Sequence, residues 1–131
     1  MTAVTIFIYL TFQSPNLMWR NDPSNDWQIM EETSMTALAS AGDTVIWKID
    51  DDTIKKIKNI TMGKKDKLPQ GYQWKDIWSK KPKKDSKMQY SGIISTEMRK
   101  GDADGYNISV QVKNGDDITI DPGVGIEYPP N

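Results

Sequence analysis

Hydrophobic and polar residues alternate along the chain, most cleanly between Tyr106 and Asp121. Tyr106, Ile108, Val110 and Val112 interleave with Asn107, Ser109, Gln111 and Lys113, a period of two that puts the apolar side chains on one face of a strand. Asn114-Gly115 follows, and then Ile118 and Ile120 alternate with Asp117, Thr119 and Asp121. Two such runs joined by Asn-Gly predict a β-hairpin with a type I′ turn, because that dipeptide tolerates two positive φ values. A lone hairpin is marginal in water, so the rest of the chain must cover its apolar face. Pro122 and Gly123 break the second strand. Val124, Ile126 and Tyr128 predict a terminal edge strand, stopped by Pro129-Pro130.

Upstream, Val4 to Phe12 reads as a strand apolar on both faces, hence central or covered twice. Ser14 to Asn25 is turn-rich, with Trp19 and Trp27 in or beside it. Trp27 to Met30 predicts a short strand, and Met35 to Ala39 suits either a strand or a helical turn. Thr44 to Ile49 is a strand with Val45, Trp47 and Ile49 inward, ended by Asp50-Asp51-Asp52. Ile54, Ile57 and Ile60 recur every three residues, which fits neither a flat strand nor an ideal helix. A strand kinked by a bulge is expected, with a helical turn capped by Asp52 or Thr53 as the alternative. Lys64 to Ser86 reads as one long lysine-rich loop tacked down by Tyr72, Trp74, Ile77 and Trp78, and loops of that length are usually functional or mobile. Gln89 to Thr96 is the next strand, with Tyr90, Gly92 and Ile94 on one face, and Gly101 to Gly105 a turn. The expected fold is all-β: one antiparallel Greek-key sandwich of about seven to nine strands.

At 131 residues the chain is one domain with room for a real core. It has no stretch of about 20 apolar residues, so no membrane-spanning helix is expected. Ala3 to Phe12 is not preceded by Lys or Arg, and Ser14-Pro15-Asn16 makes a poor cleavage site. The run therefore reads as a strand rather than a leader, and a cytoplasmic location is expected. Cysteine and histidine are both absent. That removes disulfides, thiol chemistry, Ser-His-Asp and Cys-His catalysis, and the usual copper and zinc sites. No cofactor is expected.

Gly42-Asp43-Thr44-Val45-Ile46-Trp47 resembles the Gly-Asp-x-Val-x-Trp strand of the cupredoxins. The resemblance implies their Greek-key sandwich. The place where it would bring a copper-ligating histidine, Asp50 to Ile54, has none, and the later Cys-x-His-x-Met loop has no counterpart, so copper does not carry over. Trp47, Ser91-Gly92, Tyr106 and Asp121-Pro122 together also resemble small uncharacterised bacterial proteins of the same general type, a likeness from which no activity follows.

Charge is polarised along the chain. Lys55 to Lys87 holds twelve lysines against Asp66, Asp76 and Asp85, while the remainder holds five basic and fifteen acidic residues. If folding gathers the lysines on one face, they attract a phosphate, a sulfate or an acidic protein surface. The candidate anion site is Lys64, Lys65, Lys67, Trp74, Lys75, Trp78, Lys80, Lys81, Lys83 and Lys84, with the two tryptophans stacking; the bland alternative is a solvated loop. Arg20 and Arg99 are the only arginines, which argues against bidentate base reading. Competing readings are a carbohydrate-binding module using Trp19 and Trp27, and a structural subunit that self-associates through its opposed charges. Asp102-Ala103-Asp104-Gly105 opens like a calcium loop, but Lys113 stands where a bidentate glutamate is needed. Asp50-Asp51-Asp52 suits a solvated turn better than calcium. Glu31, Glu32 and Glu97 are the glutamates for carboxylate catalysis, without a recognisable motif, and the chain is expected not to be an enzyme.

Overall fold

A computed structural model describes residues 3–63 and 68–127. The described residues hold no helix and twelve strands. They are β1 (Thr5–Gln13), β2 (Asn16–Arg20), β3 (Gln28–Ile29), β4 (Met35–Ala39), β5 (Thr44–Ile49), β6 (Ile54–Gly63), β7 (Gln73–Trp74), β8 (Trp78–Ser86), β9 (Gln89–Ile94), β10 (Asp102–Val112), β11 (Asp117–Ile120) and β12 (Gly123–Ile126). One sheet runs β3-β2-β1-β5-β9-β8; the other runs β11-β10-β12-β4, with β6 and β7 also on β10.

Both sheets are mixed, which corrects the antiparallel expectation: β1 pairs β5, β4 pairs β12 and β7 pairs β10 in parallel. The sheets pack face to face over one core. Ile8, Leu10, Val45, Trp47, Ile49 and Tyr90 come from the first sheet, and Ile57, Tyr106, Ile108, Val110 and Val124 from the second. Trp47 sits at the centre, edge-on to Tyr106 with ring centroids 5.2 Å apart. β1 is central, as its two apolar faces imply, and its outer face carries the stacked rings of Phe7 and Tyr9.

The period of three in Ile54, Ile57 and Ile60 has a direct cause. Against β10, Ile54 pairs Val112, Ile57 pairs Val110 and Ile60 pairs Ile108, with register shifts in both intervals. Each shift inserts one residue, Lys55 and then Lys58, so every third side chain points inward. Two bulges convert a period of two into three.

Three strands lie where turns or loop are expected: β2, β7 and β8. β2 holds because Leu17 and Trp19 are buried opposite Phe12 and Leu10. The proposed turn at Gly101–Gly105 is instead the start of β10. The β10–β11 turn is also corrected. Gly115 N–H donates to Val112 C=O and Val112 N–H to Asp116 C=O, both at 2.9 Å. Only Gly115 has positive φ, at 97°, and Asn114 does not. This is a three-residue loop closed by a left-handed glycine rather than a two-residue type I′ turn.

The Gly42-Asp43 pair has a structural role of its own. The Asp43 carboxylate accepts Val4 N–H at 3.0 Å and Ser40 N–H at 2.8 Å, and its carbonyl accepts Ile94 N–H at 2.8 Å. One buried residue thereby ties the start of β1 and the β4–β5 turn through its carboxylate, and the end of β9 through its carbonyl.

Gly92 on β9 lies under β8. A Cβ there would meet Pro82 N and the Trp78 ring at 3.0 Å and Lys80 O at 3.1 Å. Gly92→Ala is expected to lower stability by about 1–3 kcal/mol, the usual cost of overpacking. Gly63→Ala, whose Cβ would meet nothing within 4 Å, should stay within about 0.5 kcal/mol of the parent. Thermal unfolding of the two variants beside the parent checks this; equal melting temperatures would contradict it.

Candidate functional site: a lysine-bearing sheet edge

β8 is a strand that its composition does not favour. Lysine, aspartate and proline make up most of Trp78–Ser86. It is held by what it anchors. Trp78 turns inward, 7% exposed, with its ring 6.0 Å from Trp47, and β9 supplies the pairing. Nine residues of β8 face six of β9, and the excess is absorbed by three register shifts, between Trp78 and Lys80, Lys80 and Lys83, and Lys84 and Ser86. Lysines, a proline and bulges are the devices that keep an edge strand from pairing with a stranger.

β8 ends its sheet, and Lys80, Lys81, Lys83 and Lys84 are all exposed. β6, with exposed Lys55, Lys56 and Lys58, meets the β8–β9 turn, where Ile57 N–H donates to Lys87 C=O at 2.8 Å and Tyr90 Oη to Lys58 C=O at 3.4 Å. The edges of the two sheets therefore adjoin, and both carry lysine. Of the two ion pairs among the described residues, only Lys58–Asp117 at 2.6 Å uses this edge; the other is Lys113–Asp52 at 3.3 Å.

The expected Lys64–Ser86 loop is thus largely ordered strand over its second half. Lys64, Lys65 and Lys67 lie outside the described residues. Lys75 is exposed beside β10, its N–H bonded to Ala103 C=O at 2.9 Å. Trp74 is 43% exposed and presents ring surface to solvent, whereas buried Trp78 does not, which corrects its assignment as a stacking residue.

The two tryptophans share one acceptor. Trp74 Nε1 donates to Asp104 Oδ1 at 3.0 Å and Trp78 Nε1 to Asp104 Oδ2 at 3.1 Å. Asp104 is 3% exposed. Burial pushes its carboxyl up to about 6 and the charge of Asp76 adds to the rise, against the two indole N–H groups and Gly105 N–H. Asp104 was legible as an inward residue, since it continues the Tyr106–Ile108 phase toward the N-terminus. A turn reading of Gly101–Gly105 hid it.

The calcium reading of Asp102–Gly105 finds no support. Asp102 accepts Arg99 N–H at 2.9 Å and Gln73 Nε2 at 3.3 Å, and Asp104 holds the indoles. No group of three or more His, Cys, Asp or Glu among the described residues is placed to hold a metal ion. The sugar-stacking pair is also disfavoured: Trp19 is buried, and the Arg20 guanidinium lies 4.0 Å over the ring of Trp27. Glu31, Glu32 and Glu97 are exposed. None lines the cleft of about 300 Å³ formed by Gln70, Gly71, Tyr72, Lys100, Gly101 and Glu127. There the Tyr72 hydroxyl donates to Glu127 Oε2 at 2.7 Å, and burial with that carboxylate pushes the phenol up to about 12.

No protein-family model matches the chain, and no curated protein matches it significantly.

Because the folded pKa of Asp104 lies above its ordinary 3.8, the folded state holds this proton more tightly than the unfolded one. Its contribution to stability is fully present below about pH 4 and is lost as pH rises through 6. The parent should therefore lose on the order of 2 kcal/mol between pH 4 and 7 relative to Asp104→Asn. Denaturant midpoints of both proteins across that range measure the difference; parallel profiles would refute the assignment.

Proposed function

We propose that the chain is a non-enzymatic binding module that engages an anionic partner along the β6–β8 edge. The observation that carries this reading is the row of exposed lysines on β8, outside the described ion pairs and continued onto β6 at the Ile57–Lys87 contact. Lys80 to Lys84 spans four residues, on the order of 13 Å at the rise of a strand, so the charges form a line rather than a point. Lysine presents point charges without the planar fork of arginine, which suits electrostatic contact with phosphate, sulfate or carboxylate more than base reading. Trp74, at the end of β7, adds exposed ring surface for stacking, worth roughly 1–3 kcal/mol per base. The bulges and Pro82 also disturb the outer row of backbone groups, so the partner meets side chains rather than joining the sheet.

The framework we assign to this module is a cupredoxin-like Greek-key sandwich without copper. Its support is the Gly42–Trp47 strand, whose Asp43 pins three elements and whose Trp47 fills the core.

Tryptophan fluorescence during titration with heparin and with single-stranded DNA, at low and at physiological salt, tests the reading. Four lysine–phosphate contacts on a single strand predict a roughly 50-fold loss of affinity between 50 and 200 mM salt. Lys80→Glu combined with Lys83→Glu should abolish binding, and Trp74→Ala should weaken DNA more than heparin. No response to either polymer at low salt, or a double variant that binds like the parent, would remove the proposal.

A further inference from the structure

Opposite the lysines in charge stands a second surface, built from two turns at one end of the sandwich. Asp50, Asp51 and Asp52 form the β5–β6 turn, and Asp116 and Asp117 lie at the start of β11. Lys113 joins the two, its N–H donating to Thr53 C=O at 3.0 Å and its ammonium pairing with Asp52. Asp50, Asp52, Asp116 and Asp117 are exposed. Asp51 is tied down: Oδ2 accepts the Thr11 hydroxyl at 2.6 Å, and Oδ1 accepts Thr53 N–H at 3.0 Å and the Thr53 hydroxyl at 2.7 Å. These bonds hold its carboxyl below the ordinary range, so it stays charged at neutral pH. Five carboxylates thus crowd one end, with Lys113 and Lys58 as their ion-pair partners.

We infer that this acidic end docks onto the lysine edge of a second copy of the chain. The inference rests on the reading of β6–β8 as an anion-binding edge and names a partner for it. Within one copy the two surfaces are joined at Lys58–Asp117, and none of the β8 lysines takes part in an ion pair among the described residues. The acidic turns adjoin the start of β6, and Ile57 of β6 bonds Lys87, just past the end of β8. Lys80 pairs Ile93 and Ser86 pairs Gln89, four residues of β9 apart and so on the order of 13 Å at the strand rise, beyond the reach of a lysine side chain. The far lysines of β8 are therefore out of reach of their own acidic turns and open to those of another copy. A formal net charge of −1 removes the long-range self-repulsion that would keep copies apart. Because each copy carries both surfaces, the contact either closes as a two-fold pair or repeats head to tail.

Charge reversal in solution tests this. Light scattering of the parent at low salt should give a mass that rises with concentration and returns to the monomer at high salt. Lys80→Glu with Lys83→Glu should remain monomeric, as should Asp50→Lys with Asp116→Lys, whose carboxylates are exposed. An equimolar mixture of the two charge-reversed proteins should be heavier than either alone, because the glutamate edge of one now fits the lysine end of the other. A parent that is monomeric at every concentration at low salt, or a mixture no heavier than its parts, overturns the inference. Heparin binding separates the two readings. If the parent stays monomeric yet binds heparin through Lys80 and Lys83, self-docking falls and the edge reading stands. If the lysine double variant binds heparin like the parent, the edge reading falls with it.

Discussion

The second sheet depends on β10. Its eleven residues pair with four strands, β6 and β7 along one side and β11 and β12 along the other. Buried backbone N–H and C=O groups must find partners, and no single neighbour runs the length of this strand. Short strands laid end to end on each flank solve the problem. That arrangement explains why β7 is only two residues long and why β12 can be Gly-Val-Gly-Ile. It also places Asp104 deep in the structure, where its two oxygens are occupied by the indoles of Trp74 and Trp78. The buried carboxylate is the link between the β10 scaffold and the segment that leads into the lysine edge.

Residues whose side chains decide their own position were legible in the sequence. β5 and β9 follow from strict alternation, and the tripled spacing of the β6 isoleucines encodes its bulges. β2 and β8 were hidden because tertiary pairing overrides local preference in both. β2 sits in a run of turn-forming residues and is held by Leu17 and Trp19. β8 is a strand by virtue of Trp78 and β9, and nothing in Ser-Lys-Lys-Pro-Lys-Lys announces it. The parallel pairings were hidden for another reason: alternation reports which face a side chain takes and is silent about the direction of the neighbouring strand.

Of the candidate site, the lysines were visible as composition, while their alignment on a sheet edge was not. Trp74 and Trp78 looked equivalent because both are tryptophans in a polar run. One is half-exposed and the other buried, although both indoles bond the same aspartate, which the sequence presents as part of a turn. The lysines of β8 shield an edge from unwanted strand pairing, and the anion contact proposed for them would draw on the same exposure.

The closing of the second sheet has a kinetic consequence. β4 is a strand without a charged residue, and among the described residues its one strand partner is β12, which leaves it at the sheet edge. Thr36 of β4 donates its hydroxyl to Gly123 C=O across 87 residues of chain, and Tyr106 Oη approaches the same hydroxyl at 2.7 Å. Contacts that span so much sequence must close a large loop before they return any stabilisation, which slows folding. During synthesis β4 therefore emerges early and waits, with Met35, Ala37 and Leu38 unpaired, until β12 is made. Among the described strand pairs, the meeting of the fourth strand with the twelfth closes the longest stretch of chain.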